Sequence, residues 1–220
     1  FGVVLAAVGI VVRQFVALPL VQDYVRELAE TQQLATASYV ASDVDYAITL
    51  RLGLIERFAA ELPVHLAAQP QALAAWIRER QRITPAFGGG LLAVRPDGHG
   101  LIAAYPAVAR PREHDYAAAD WLLAAVRDSK PVVGRPSRDQ LSGEPAIVFA
   151  APVRNAEGRV VTVLAGITLL TSPRFLDRVR STKLGHSGGL LVVSASDRLY
   201  VMASDPKIIR SSGPPVGWRT

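Results

Sequence analysis

The feature that most constrains the fold is a long segment, residues 20–62, that lacks proline and contains glycine only at Gly53. Apolar residues in its second half recur at steps of three and four, namely Ile48, Leu52, Ile55 and Ala59, with Leu50, Leu54 and Phe58 as a flanking row. This spacing is typical of an amphipathic helix. Pro63 interrupts the pattern, because proline cannot continue a helix. We therefore expect one very long helix, polar over residues 23–42 and packed over its second half.

Short helical and strand-like segments alternate in the rest of the chain. Helical spacing is found in residues 70–82, 116–127 and 173–180, and strand-like apolar runs in residues 91–94, 101–105, 131–135, 146–153, 160–170, 190–196 and 199–203. Turn residues at 96–98 and 155–158 join two pairs of these runs into hairpins. Antiparallel hairpins with helices packed to one side predict an α+β fold.

The first residues suggest contact with a membrane. Residues 1–12 are apolar and uncharged, and residues 15–21 resume the run after Arg13 and Gln14. A membrane-spanning helix needs about 20 apolar residues. Because the chain begins with Phe1 rather than Met, we expect a fragment that starts inside a transmembrane helix ending near residue 21. A signal-peptide core and a buried soluble helix are the alternatives.

Composition excludes several classes of function. The chain has no cysteine, which rules out disulfides, cysteine nucleophiles and thiolate zinc sites. Its formal net charge is +5, but lysine and arginine are scattered and form no stripe that could follow a phosphate backbone. We expect no nucleic-acid partner.

No catalytic or metal site is predicted. Residues 185–189 match G-x-S-x-G, but a helix is expected before the serine and a strand after it, the reverse of a nucleophile elbow. No histidine follows His186, so the remaining triad order is missing as well. His65, His99, His114 and His186 contain no i, i+4 pair that could hold a metal on a helix face. The G-x-S-x-G match is therefore the single feature that favours an enzyme such as an esterase. We predict no cofactor.

Aromatic and cationic side chains are concentrated in residues 105–135. They are Tyr105, Arg110, Arg112, His114, Tyr116, Trp121 and Arg135. Guanidinium groups match carboxylates in bidentate geometry, and aromatic rings can wall a pocket. Alternatively, the rings of Tyr116 and Trp121 are core and the arginines are solvated.

The order of elements resembles the double Cache (PDC-like) sensor domain of bacterial transmembrane receptors. Residues 91–106 (LLAVRPDGHGLIAAYP) resemble its first hairpin, and residues 131–135 (PVVGR) and 143–168 resemble the closing strands of its membrane-distal lobe. Residues 184–191 (LGHSGGLL) and 197–206 resemble the start of its proximal lobe. The resemblance covers nearly the whole chain. It implies a stalk helix over residues 22–62, a distal PAS-like lobe over residues 63–172, and a linking helix with an incomplete proximal lobe over residues 173–220.

The resemblance also implies a function. Such a domain lies in the periplasm, is anchored in the inner membrane, binds a small molecule in the distal lobe and pairs with a second copy through the long helix. The chain is most similar to the sensors of diguanylate cyclase receptors, with histidine kinases and chemotaxis transducers as alternatives; the domain itself is not an enzyme. The alternative hypothesis is a ligand-independent structural or dimerisation domain.

One position bears on the ligand that the resemblance implies. Amino-acid-binding members of the family carry an aspartate near the end of the last distal strand, where it holds the ammonium group. The matching position here is Thr168. Because a buried ammonium without a carboxylate is costly, we expect Thr168 to line a pocket for a carboxylate or another small anion rather than an amino acid.

Overall fold

The computed structural model describes residues 18–172, 191–193 and 200–203. The chain divides into two compact units, Phe1–Val44 and Asp45–Thr220. Residues 1–17, which carry most of the expected transmembrane helix, lie outside the described residues. The same holds for the helix expected at 173–180, the G-x-S-x-G motif and His186. No helix among the described residues is apolar enough over a sufficient length to cross a membrane.

The long helix α1 spans Leu18–Glu61. In the first unit, the hydroxyls of Thr36 and Ser42 donate to the carbonyls four residues earlier, which satisfies these polar side chains within the helix. In the second unit, Ile55, Phe58 and Ala59 are buried, as the apolar spacing predicts. Leu50, expected in the flanking row, is instead 57% exposed.

A second helix packs against the end of α1. A 3₁₀ turn, Val64–Ala68, leads into α2, Pro70–Ile83. Phe58 meets Trp76 edge to face at 6.4 Å between ring centroids. Arg80 stacks over Trp76 at 5.0 Å and its Nη1 lies 3.2 Å from Glu61 Oε2. These contacts hold α2 against the end of α1, and Leu73 and Ile77 of α2 are fully buried.

An antiparallel sheet forms the centre of the second unit. Its strands are β1 Gly90–Val94, β2 Leu101–Tyr105, β3 Val132–Val133, β4 Ser137–Arg138, β5 Pro145–Arg154 and β6 Val160–Leu169. The order is β2-β1-β6-β5-β3, and β4 also pairs with β5. The long β5–β6 hairpin, closed at Asn155 and Gly158, forms the middle of the sheet.

Helices cover the sheet on both faces. Helix α2 packs on β1 and β2, whereas α3, Asp120–Asp128, packs on β3, β5 and β6. The sequence places the start of α3 four residues too early, because the Tyr116 N–H donates to the Gly98 carbonyl at 2.9 Å and is held outside the helix. A separate hairpin, β7 Leu191–Val193 with β8 Tyr200–Ala203, is described beyond the sheet. The α+β class, with helices followed by an antiparallel sheet, is confirmed.

Candidate functional site

The predicted ligand residues do not form one cluster, because they lie on different faces of the sheet. Tyr116 and Trp121 belong to the core between the sheet and α3, together with Val148, Ala165 and Ile167. Side chains alternate between the faces along a strand. The neighbouring positions on β5 and β6 therefore face α2.

Thr168 is one of the residues on the α2 face. It pairs with Ile147 in a regular register. The next pair on that face is Gly166 with Phe149, and both residues contact the ring of Phe87. Its Oγ1 is buried and has no hydrogen-bond partner within the described residues. The residue of this strand end that faces Trp121 is Ile167. Thr168 is thus separated by the sheet from Tyr116 and Trp121, so its lack of a carboxylate does not bear on a ligand held near those two rings.

Tyr105 also lies on the α2 face. It ends β2 and pairs with Leu91, whereas its neighbour Ala104 packs against the core under α3. The ring is half-buried. Tyr105 is thus separated by the sheet from Tyr116 and Trp121.

The two aromatic residues under α3 contact each other. The ring centroids of Tyr116 and Trp121 are 5.6 Å apart, at an interplanar angle of 58°. Both are buried. Gly134 admits the indole, since a Cβ at this position would lie 3.0 Å from Trp121 Cβ and 3.2 Å from its Cδ1. The indole is therefore locked between α3 and the segment that follows β3.

The Tyr116 hydroxyl is the polar end of this cluster. It is buried and has no hydrogen-bond partner within the described residues. Burial, with a smaller contribution from the Asp139 carboxylate, raises the pKa of Tyr116 to about 12. The group is therefore a protonated donor at neutral pH. Leaving such a donor unsatisfied costs about 1–3 kcal/mol, so a ligand that accepts its hydrogen bond would recover this free energy.

Asp139 is the residue of this region that the sequence did not single out. Its side chain is buried, and Oδ2 accepts hydrogen bonds from the Ser142 N–H at 2.8 Å and the Ser142 hydroxyl at 2.7 Å. The sequence shows only a polar loop here, and aspartate and serine are both common in turns. Its burial beside Tyr116 is visible only in the folded chain.

Arg110 and Arg112 lie on the surface, on a 3₁₀ turn, Pro111–Glu113. Arg110 Nη1 is 3.4 Å from Glu113 Oε2, and Arg112 is exposed. Both arginines line a groove of about 700 Å³. His114, the next residue, is half-buried, and its carbonyl accepts a hydrogen bond from the Gly100 N–H at 2.9 Å.

Arg135 does not contribute a free cation to the aromatic pair. Its guanidinium is 74% exposed and its Nε lies 3.8 Å from Asp120 Oδ2. Among the described residues, no group of three histidine, aspartate or glutamate side chains is placed to hold a metal ion.

Comparisons with solved structures place the fold among chemoreceptor ligand-binding domains. The ligand-binding domain of Pseudomonas fluorescens chemoreceptor CtaA, in complex with L-isoleucine, superposes with a TM-score of 0.64 at 22% identity, over 87% of this chain and 75% of that chain. The corresponding domain of the Pseudomonas aeruginosa PAO1 amino-acid chemoreceptor PctC, in complex with GABA, gives 0.58 at 22% identity, over 86% and 80%. PctB of the same organism, in complex with L-Arg, gives 0.58 at 22% identity, over 87% and 74%.

No protein-family profile and no curated protein sequence matches the chain. The structural likeness therefore concerns the fold.

Proposed function

We propose that this chain is the extracytoplasmic sensor domain of a membrane-anchored bacterial receptor, and that it binds a small carboxylate-bearing molecule under α3. The observation that carries the proposal is the buried, unpartnered Tyr116 hydroxyl beside the Asp139 carboxylate. A hydroxyl donor can bind the carboxylate of an amino acid, and a nearby carboxylate can bind its ammonium group. The fold shared with chemoreceptor ligand-binding domains supports this assignment.

The amino-acid class is now preferred over simple anions. The residue that faces this cluster at the end of β6 is Ile167, whose apolar side chain offers no partner for an ammonium group. Asp139 supplies a carboxylate from the neighbouring loop instead. The solved neighbours are complexes with L-isoleucine, GABA and L-Arg, each of which carries both charges.

The receptor context belongs to the same proposal. The apolar residues 1–21 anchor the chain in the inner membrane, with the sensor in the periplasm and α1 pairing with a second copy. Ligand binding biases two existing states of the receptor by its different affinity for each. For the cytoplasmic output, the chemoreceptor fold favours a chemotaxis transducer, and the sequence resemblance favours a diguanylate cyclase.

A thermal-shift titration tests the binding proposal. The full 220-residue chain in a non-ionic detergent is melted with amino acids, GABA and monocarboxylates. A true ligand at a hundredfold excess over Kd stabilises by about 2.7 kcal/mol, or roughly 5–10 °C for a chain of this size. Tyr116→Phe should abolish the shift, and Tyr105→Phe, on the other face of the sheet, should retain it. A folded protein that responds to no compound would favour the ligand-independent dimerisation domain.

A further inference from the structure

A second concave surface lies apart from the aromatic cluster, and three arginines line it. The groove of about 700 Å³ is bounded by the turn after β1, which carries Arg95, and by the 3₁₀ turn that carries Arg110 and Arg112. Its floor is made of small and apolar side chains, including Ala67, Leu101 and Val161. Arg95 lies fifteen positions before Arg110, so no local pattern groups it with the other two arginines.

The charges in this groove are only partly compensated. Glu113 pairs with Arg110 at 3.4 Å, and Asp97 Oδ1 accepts the backbone N–H of His99 at 3.0 Å. Within the part of the chain that is described, the side chains of Arg95 and Arg112 have no hydrogen bond and no acidic partner. The guanidinium groups of Arg95 and Arg112 thus form no ion pair with a described residue, and the groove lining carries three positive and two negative side chains. A concave, apolar floor strengthens the field of such charges relative to a flat, fully hydrated surface.

Hydrogen bonds hold the two arginine-bearing turns together. The Gly98 N–H donates to the Arg95 carbonyl at 2.9 Å and closes the first turn. The Gly100 N–H donates to the His114 carbonyl at 2.9 Å, which ties this hairpin to the second turn. A side chain at Gly100 would approach Arg112 Cα to 3.2 Å. The backbones that carry the arginines are therefore set before a ligand arrives, which lowers the entropic cost of binding.

From this geometry we infer that the groove is a binding site for a small dianion, held between the guanidinium groups of Arg95 and Arg112. Each guanidinium offers paired N–H donors that match a carboxylate or a phosphate oxygen pair. The site is distinct from the proposed amino-acid site, because Tyr116 and Trp121 lie in the core under α3 and do not line the groove.

Calorimetric titration of the full 220-residue chain in a non-ionic detergent tests the site, with succinate and inorganic phosphate as probes at low salt. Binding should weaken as NaCl is raised, because exposed charges are screened. Arg95→Ala and Arg112→Ala should each weaken binding by roughly tenfold, since each removes a charge-assisted pair of hydrogen bonds. The matched controls, Arg78→Ala and Arg159→Ala, each remove one such charge from an exposed position outside the groove and should leave the affinity unchanged.

A substitution of opposite sign makes the test sharper. Asp97→Asn keeps an oxygen for the His99 N–H but removes a negative charge from the groove, so it should tighten dianion binding by roughly twofold to fivefold. Tyr116→Phe should not change dianion affinity, so failure of the amino-acid proposal would leave this result intact. If neither dianion binds at millimolar concentration, or if the groove variants and the control pair behave alike, the site is overturned.

Discussion

The ring of Phe87 lies against Gly166, in the space that any side chain at position 166 would occupy. Phe87 is completely buried and also contacts Phe149, at 6.2 Å between ring centroids. This contact joins the segment between α2 and β1 to the centre of the sheet.

Gly166→Ala should therefore destabilise the protein. The added methyl group overlaps the phenyl ring, and overpacking of this kind costs about 1–3 kcal/mol. Gly53→Ala is the control, since nothing lies within 4 Å of a Cβ at that helical position. It should raise stability by about 0.5–1 kcal/mol. Urea unfolding of both variants measures the difference, and equal stabilities would show that the Phe87 contact is not tight.

Tyr116→Phe should stabilise the ligand-free protein while it removes ligand binding. The substitution deletes a buried hydroxyl that has no partner, which relieves about 1 kcal/mol of desolvation cost. Chemical unfolding without ligand checks the first part, and the thermal-shift titration checks the second. A variant less stable than the parent would mean that the hydroxyl already makes a favourable hydrogen bond.

The stability of the protein should fall at high pH because of the same group. The pKa of Tyr116 is about 12 in the folded chain, against the usual value of 10.0. The unfolded chain therefore releases this proton at a lower pH than the folded chain does. The free energy of unfolding is unaffected by this group below about pH 10 and falls by up to about 2 kcal/mol as the pH rises towards 12. Unfolding measured from pH 9 to 12 should show this loss in the parent relative to Tyr116→Phe. Parallel curves for the two proteins would contradict the raised pKa.

Thr168→Val should leave ligand binding unchanged. Its hydroxyl is buried without a partner on the α2 face, so its removal is neutral or stabilising by up to about 1 kcal/mol. Ile167→Val, one residue away on the face that packs Tyr116, should instead cost about 0.5–1.5 kcal/mol. Binding isotherms and melting curves for both variants give the comparison. Loss of binding in Thr168→Val would restore Thr168 to the pocket.

Pairing of α1 with a second copy should depend on Tyr46 and Leu50. These side chains are 68% and 57% exposed, and they lie four residues apart on one side of the helix. Tyr46→Lys with Leu50→Lys should reduce the dimer fraction in light-scattering measurements. Gln71→Lys with Ala75→Lys, at exposed positions of α2, adds the same charge and should not. A monomeric parent chain would remove the basis of the pairing proposal.

Local patterns predicted most of the fold. Proline and glycine placement with apolar spacing located α1 and α2, and the turns at Gly98 and Gly158 located both hairpins. These signals are local, because helix periodicity and turn chemistry depend on residues close in sequence. The strand predicted over residues 131–135 comprises only Val132 and Val133, and β4 was not predicted. Both are edge strands whose extent depends on pairing with β5.

The sequence could not show which of the predicted site residues lie together, because the face of each residue depends on strand register. Tyr105 and Thr168 carry suitable chemistry but point towards α2, and a shift of one residue along a strand reverses the face. Asp139 was overlooked because a loop aspartate is normally solvated, and only the packing around it makes it buried.

The α+β class, the long helix and the hairpins follow from the sequence alone, since they depend on backbone preferences and the periodicity of apolar residues. The tertiary structure decided which aromatic and charged residues meet. It brought Asp139 close enough to Tyr116 to raise the pKa of its hydroxyl, and it brought Arg95 into one groove with Arg112. Such meetings depend on strand register and loop closure between distant segments, and no local pattern of residues encodes them.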